Sequence, residues 1–232
     1  MKSTTRMQNR ASSEAESPFY DKRMNGARNG STRALDEGFT RLAQRLLLAK
    51  DGGSPSSIVF AGIGEPNSSA VVCGSVAVAL ADATTKSICI VDADRTERKL
   101  FQLFGVDSDY GEQPSGASIH QVCIRLHDNL WIAGPAELGW AAAPPMPEDV
   151  ATTISMLRRE FDYLFINAGD AVSDLTAASV GQSVDGLVLV LKRNATRRAL
   201  ARNVAQVMKA GGVVVLGAVL HNDRLFARAA PK

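Results

Sequence analysis

Cysteine is scarce and scattered. Cys73, Cys89 and Cys123 are the only three in 232 residues. An odd, widely spaced set excludes a disulfide framework, so reduced core residues are expected. His120, His127 and His221 show no ligand spacing, and loop or surface positions are expected for them. No apolar run reaches the roughly 18 residues of a membrane span. The amino-terminal stretch lacks the apolar core of a signal peptide, which argues against export. Its Glu14, Glu16 and Asp21 argue against a transit peptide as well. An excess of one charge is also missing. The formal net charge of +2 gives no general case for nucleic acid as a partner.

What is present is an apolar chain with a polar lead. Hydrophobic residues make up 45% of the sequence, enough for a sizeable core. Residues 1–32 depart from that. They are rich in Ser, Asn, Arg and Gly, with six Lys/Arg against three Asp/Glu. Such a stretch buries too little apolar surface to offset its ordering entropy, so a disordered tail is expected. Residues 33–222 are expected to form one α/β domain, and 223–232 a short second tail.

Within the domain, Leu35, Phe39, Leu42 and Leu46 share one helical face and predict a helix over 33–50, capped by Ser31 or Thr32 and stopped by Gly52-Gly53. Residues 58–61 form a buried strand. A small-residue loop follows, then an alanine-rich helix over 69–82, in which Gly74 suggests close packing on a sheet. Residues 87–91 are a near-continuous apolar run, the pattern of a parallel strand covered on both faces. A short helix over 97–104 should end at Gly105. Residues 107–118 and 134–147 are expected as loops. Two strands at 119–126 and 130–133 flank His127-Asp128-Asn129. Helices at 147–160, 174–182 and 196–209 then alternate with strands at 161–167, 186–191 and 213–220. The alternation predicts a doubly wound, mostly parallel sheet.

Ligands of such sheets sit beyond the carboxyl ends of the strands. The loop Gly62-Ile63-Gly64-Glu65-Pro66-Asn67-Ser68-Ser69-Ala70 has the shape of a phosphate cradle leading into a helix. A phosphate loop also needs a lysine for the β/γ oxygens and a hydroxyl for Mg²⁺. This loop has no lysine. Glu65 places negative charge where phosphate would lie, and Pro66 removes one N–H. Asp92 and Asp94 end a buried strand. Two carboxylates there suit water activation or Mg²⁺, and equally suit capping of the following helix, with Asp94 near Thr96.

Five motifs in order resemble the cytoplasmic tyrosine autokinases of bacterial exopolysaccharide and capsule synthesis, which belong to the MinD/ParA-like branch of P-loop proteins. Glu37-Gly38-Phe39-Thr40-Arg41-Leu42-Ala43 is similar to the family's first helix, Glu-Ala-Phe-Arg-x-Leu-Arg. Val91-Asp92-Ala93-Asp94 keeps its Val-Asp-x-Asp. Phe161-Asp162-Tyr163 through Asn167-Ala168-Gly169-Asp170 resembles Phe-Asp-Tyr-(apolar)₃-Asp-Thr-Pro-Pro. Val184-Asp185-Gly186-Leu187 resembles Ala-Asp-Gly-Val. Thr196-Arg197-Arg198 and Leu216-Gly217-Ala218-Val219-Leu220-His221-Asn222 resemble its closing helix and strand.

The resemblance implies a P-loop NTPase-like fold and a nucleotide site at Gly62, Gly64, Ser68, Ser69, Ala70, Asn167 and Asn222. Asp92 and Asp94 would be its metal-associated and catalytic carboxylates. The departures imply that ATP and Mg²⁺ chemistry is lost. One alignment puts Ser69 at the family's lysine and Ala70 at its Mg²⁺ hydroxyl; another puts Asn67 at the lysine. Asn167 replaces an aspartate. Thr40 and Ala43 replace ring-forming arginines. No tyrosine follows Tyr163, so the phosphorylated tyrosine cluster is missing.

The leading expectation is a non-catalytic, pseudokinase-like protein in polysaccharide synthesis or export with no cofactor. It would bind a membrane chain-length or export protein, or an active tyrosine kinase of the pathway, and would lie in the cytoplasm or at the inner face of the plasma membrane through that partner. A homo-oligomer is left open, and nucleic acid is not expected as a partner. Two alternatives stand beside it: a weakly active, ATP-binding tyrosine autokinase that regulates chain length, and a MinD/ParA-like positioning ATPase.

Overall fold

The structure, a computed structural model, describes residues 30–48, 55–64, 66–95, 97–106, 122–136, 138–140 and 146–222. The tail expected at 1–29, the loop at 107–118, the start of the strand at 119–121 and the tail at 223–232 lie outside the described residues.

In chain order the elements are α1 (Gly30–Leu48), β1 (Ser57–Gly62), α2 (Pro66–Ala83), β2 (Ile88–Asp92), α3 (Lys99–Phe104), β3 (Ile124–His127), β4 (Leu130–Ala133), α4 (Pro147–Glu160), β5 (Tyr163–Asp170), α5 (Thr176–Gly181), β6 (Gly186–Lys192), α6 (Arg198–Ala210) and β7 (Val215–His221). The strands form one seven-stranded sheet in the order β3-β4-β2-β5-β1-β6-β7. Only the β3–β4 pair is antiparallel. The expected doubly wound class is therefore the one observed. β1, β2 and most of β5 are buried on both faces, which is why they read as unbroken apolar runs.

Alternate residues of each strand feed two apolar layers. One face carries Val59, Cys89, Val91, Leu164, Ile166 and Leu187 against Val150, Ile154 and Leu157 of α4, Val180 of α5 and Met208 of α6. The other carries Phe60, Ile90, Phe165 and Val188 against α1, α2 and α3. Phe60 and Phe165 meet edge to face at 6.0 Å between ring centres, a favoured aromatic geometry.

Several expectations shift in detail. α1 starts at Gly30, inside the stretch expected to be a tail. α2 starts at Pro66 rather than Ser69, because proline's fixed φ suits the first helical position, where its missing N–H has no intrahelical partner to lose. Gly74 packs on α3, not on the sheet: a Cβ there would lie 3.1 Å from Leu103 and 3.2 Å from Phe104. All three cysteines are buried and free. His221, expected on a loop or surface, is buried at the end of β7.

At the amino ends of the strands two aspartates sew the sheet together. Asp185 Oδ2 accepts the backbone N–H groups of Ser56 and Ser57 at 2.8 and 2.9 Å, and Arg158 donates to Oδ1 at 2.7 Å. Asp162 accepts Ser87 N–H at 2.9 Å and pairs with Lys86 at 3.0 Å. Both belong to the motifs that carry the family resemblance, yet both lie at the opposite end of the sheet from the phosphate-type loop. Partial burial opposes the charge of Asp185, but the Ser57 and Ser56 N–H groups and the Arg158 guanidinium hold its carboxyl below the usual range. Its contribution is therefore present above about pH 4 and lost as pH falls through its lowered value.

Replacing Asp185 with alanine strands N–H groups at a wholly buried strand start, Ser57 being 0% exposed. Asp185→Ala is expected to lower stability by about 1–3 kcal/mol. Asp162→Ala, at a more exposed pair, should lose less. Urea unfolding of the two variants checks this, and an equal or larger loss for Asp162→Ala would contradict it.

Candidate functional site

The carboxyl ends of β1, β2 and β5 converge beside the start of α2. β2 pairs with β5 so that Asp92 faces Asn167, and β1 pairs with β5 so that Phe60 faces Asn167. Ser69, Asn167 and Asp92 are engaged with one another here. Ser69 Oγ donates to Asn167 Oδ1 at 2.8 Å, and the Gly169 carbonyl lies 3.2 Å from the same hydroxyl. The Asn167 amide donates to Asp92 Oδ1 at 2.9 Å. Asp92 Oδ2 accepts the Leu100 N–H at 2.9 Å, in the first turn of α3. Ser69, Asn167 and Asp92 are all 0% exposed, so this chain of hydrogen bonds runs through the protein interior.

Asp94 lies beside it, 5% exposed. Its Oδ1 faces the Glu97 N–H at 3.4 Å, and its carboxyl packs against Gly169, where a Cβ would come within 3.2 Å of Asp94 Cγ. Both aspartates thus receive N–H groups from the segment that leads into α3, the capping geometry that competed with a metal role. Among the described residues no group of three or more His, Cys, Asp or Glu is placed to hold a metal ion.

The loop residues separate from one another. Gly62 closes β1, and its carbonyl accepts Ala171 N–H at 2.9 Å. Gly64 has φ of +74°, in the left-handed region that glycine enters freely, and donates its N–H to Asp170 Oδ1 at 2.8 Å. Ser68 is buried at 2% exposure, and Ala70 at 1% lies in the apolar layer beside α1 and α3. Ala70 therefore does not face the polar cluster. Ser69 supplies the hydroxyl that meets β5. Asn222 follows β7 and is exposed, two strands away from β1. Sequence marked Gly169 and Asp170 as part of the turn Asn167-Ala168-Gly169-Asp170 but gave neither a role of its own. Their signal was a glycine followed by a carboxylate at a strand end, just after the residue aligned with a metal-associated aspartate.

The solved structures give this arrangement its frame. The kinase domain of Escherichia coli tyrosine kinase ETK superposes with a TM-score of 0.72 at 18% identity, over 98% of this chain and 87% of that one. The chimerical protein CapA2B2 is similar at TM-score 0.67 and 18% identity, over 80% and 83% of the two chains. The Pyrococcus furiosus cell division ATPase MinD matches at TM-score 0.58 and 22% identity, over 76% of each. The fold is that of the P-loop NTPases. At these identities the likeness is one of architecture. No family model matches the chain, and no curated protein does.

A P-loop NTPase site asks for an ammonium, a hydroxyl and free carboxylates around phosphate and Mg²⁺. The residues here do not fit that group. The sequence holds no lysine or arginine between Lys50 and Lys86. Ser69's hydroxyl is bonded to a neutral amide, and the strand-end carboxylate of Asp92 is capped on both oxygens by the chain itself.

Burial pushes the Asp92 carboxyl up; Asn167 and the Leu100 N–H pull it down, and the nearby Asp94 charge raises it again, to about 6. The folded value lies above the unfolded one, so the protonated form is favoured by folding. That stability is fully present below about pH 4 and is lost as pH rises through 6, roughly 3 kcal/mol in all. Wild type should lose stability between pH 4.5 and pH 7.5 relative to Asp92→Asn, which cannot ionise. Urea midpoints of both proteins across that range test this, and identical pH profiles would contradict it.

Proposed function

We propose that this chain is a non-catalytic, tyrosine-kinase-like protein of exopolysaccharide or capsule synthesis or export that acts by binding protein partners. The observation that carries the reading is the Ser69–Asn167–Asp92–Leu100 chain of hydrogen bonds, in which the hydroxyl, the amide and the strand-end carboxylate are each bonded to another part of the same protein. The similar solved structures include the ETK kinase domain, the VpsO kinase domain and the BceF tyrosine kinase domain, which supports the kinase-like half of the proposal. The changes in the first helix fit the same picture. Ala43 is 3% exposed and packs in the core beside α2, so the position of a ring-forming arginine has become a packing position. Among the described residues no helix is long and apolar enough to cross a membrane, so a membrane-side role would run through a partner. The partner class is a membrane chain-length or export protein, or an active tyrosine kinase of the same pathway.

The test pairs two measurements on the purified full chain. Incubation with Mg·ATP should leave its tyrosines unphosphorylated, whether or not Asp92 is changed to alanine. Immobilised chain should retain the cytoplasmic segment of a chain-length or export protein, or an active kinase domain, from its own host. Tyrosine phosphorylation that depends on Asp92 would overturn the non-catalytic reading and support the weakly active autokinase. Failure to retain any of those proteins would overturn the partner half.

A further inference from the structure

We infer that Asp170 is a built-in anion that holds the phosphate-facing loop closed, and that it keeps inorganic phosphate and nucleotide phosphates off the loop independently of the missing lysine. The inference rests on the reading of this site as a degenerate P-loop and deepens it.

The geometry begins with an irregularity in the sheet. β1 and β5 run in register until Phe60 faces Asn167, but Gly62 faces Asp170. Two steps on β1 are matched by three on β5, so β5 carries a bulge of one residue. Gly169 sits in it with φ of +64°, the conformation in which an extra residue bends a strand and re-aims the next side chain. A side chain at 169 would also press on Asp94. The bulge swings Asp170 over the end of β1. There its Oδ1 accepts the Gly64 N–H at 2.8 Å and the Val172 N–H at 3.2 Å, while Oδ2 accepts the Ser173 hydroxyl at 3.0 Å. The Ala171 N–H returns to the Gly62 carbonyl at 2.9 Å. The loop is fastened on its other side as well, where Ile63 N–H donates to the Val190 carbonyl at 3.1 Å and the Thr196 hydroxyl to the Ile63 carbonyl at 3.3 Å.

A loop of this kind binds phosphate by offering backbone N–H groups to a negative oxygen. Asp170 already presents such an oxygen to Gly64. A charge-assisted bond of this length is among the stronger hydrogen bonds a protein makes. An incoming phosphate must displace it and then lie beside a carboxylate of like charge. Both effects act against binding, so supplying a lysine elsewhere would leave them in place. Asp170 is thus a specificity-determining residue of the loop, and it acts by exclusion.

The experiment follows the Gly64 backbone amide by NMR in ¹⁵N-labelled full chain as inorganic phosphate is added at constant ionic strength with chloride. Wild type, Asp170→Ala and Asp170→Asn are compared. The wild-type Gly64 amide should not respond beyond the chloride control. In Asp170→Ala it should shift saturably, with an affinity at least about tenfold above any wild-type response. Asp170→Asn, which keeps an acceptor oxygen but loses the charge, should fall between them. If Asp170→Ala fails to fold, the wild type and Asp170→Asn make the same comparison. A wild-type amide that responds as strongly as the variants, or variants as silent as wild type, overturns the inference. Asp92-dependent phosphorylation by the wild-type chain would defeat the non-catalytic reading and, with it, the exclusion of nucleotide phosphates. A silent Asp170→Ala would defeat the exclusion role and leave that reading intact.

Discussion

The hydrogen bond from the Asn167 amide to Asp92 is the contact on which the rest of the site depends. It lies at the carboxyl ends of neighbouring parallel strands, with no solvent on either residue. A carboxylate at 167 would place two negative charges about one hydrogen bond apart in the interior, an arrangement that needs a cation between them. The amide removes that need. It donates to Asp92 and accepts from Ser69, so the three residues satisfy one another. With no ammonium in the loop, a neutral residue at 167 is the electrostatically consistent partner.

The same logic extends outward. Asp92 spends its second oxygen on the first turn of α3, which ties β2 to the helix that packs against Gly74. Asp170 spends one oxygen on Gly64, which ties β5 to the loop. Both carboxylates thus serve as internal fastenings of the sheet to the elements beside it. At the other end of the sheet, Asp185 and Asp162 perform fastening that does not involve the site at all. Their motifs are therefore signatures of the fold rather than of chemistry.

Much of the architecture was legible because it depends on local pattern. The apolar runs around Val59, Ile90 and Ile166 mark central strands, and Gly105, Gly211 and Gly212 mark helix ends. The site was legible in composition but not in wiring. Sequence placed Ser69, Ala70, Asn167 and Asp92 together, yet Ala70 turns to the apolar layer while Ser69 turns to β5. A single step along a helix decides between those directions, and composition alone does not fix that step. The bulge at Gly169 was hidden for a related reason. A bulge is a relation between two strands, and Asp170 gains its role only once β1 is known to lie beside it. His221 follows the same rule, since burial at an edge strand depends on what is laid over it.

On the proposed reading the folded chain has no place for Mg·ATP. Isothermal titration calorimetry of Mg·ATP into the full chain addresses that most directly, because it reads binding without presuming turnover. No saturable heat is expected up to millimolar nucleotide, and no change on adding Mg²⁺ alone. Saturable binding at micromolar concentrations would contradict it, and would mean that the Asn167–Asp92 contact opens to admit a ligand.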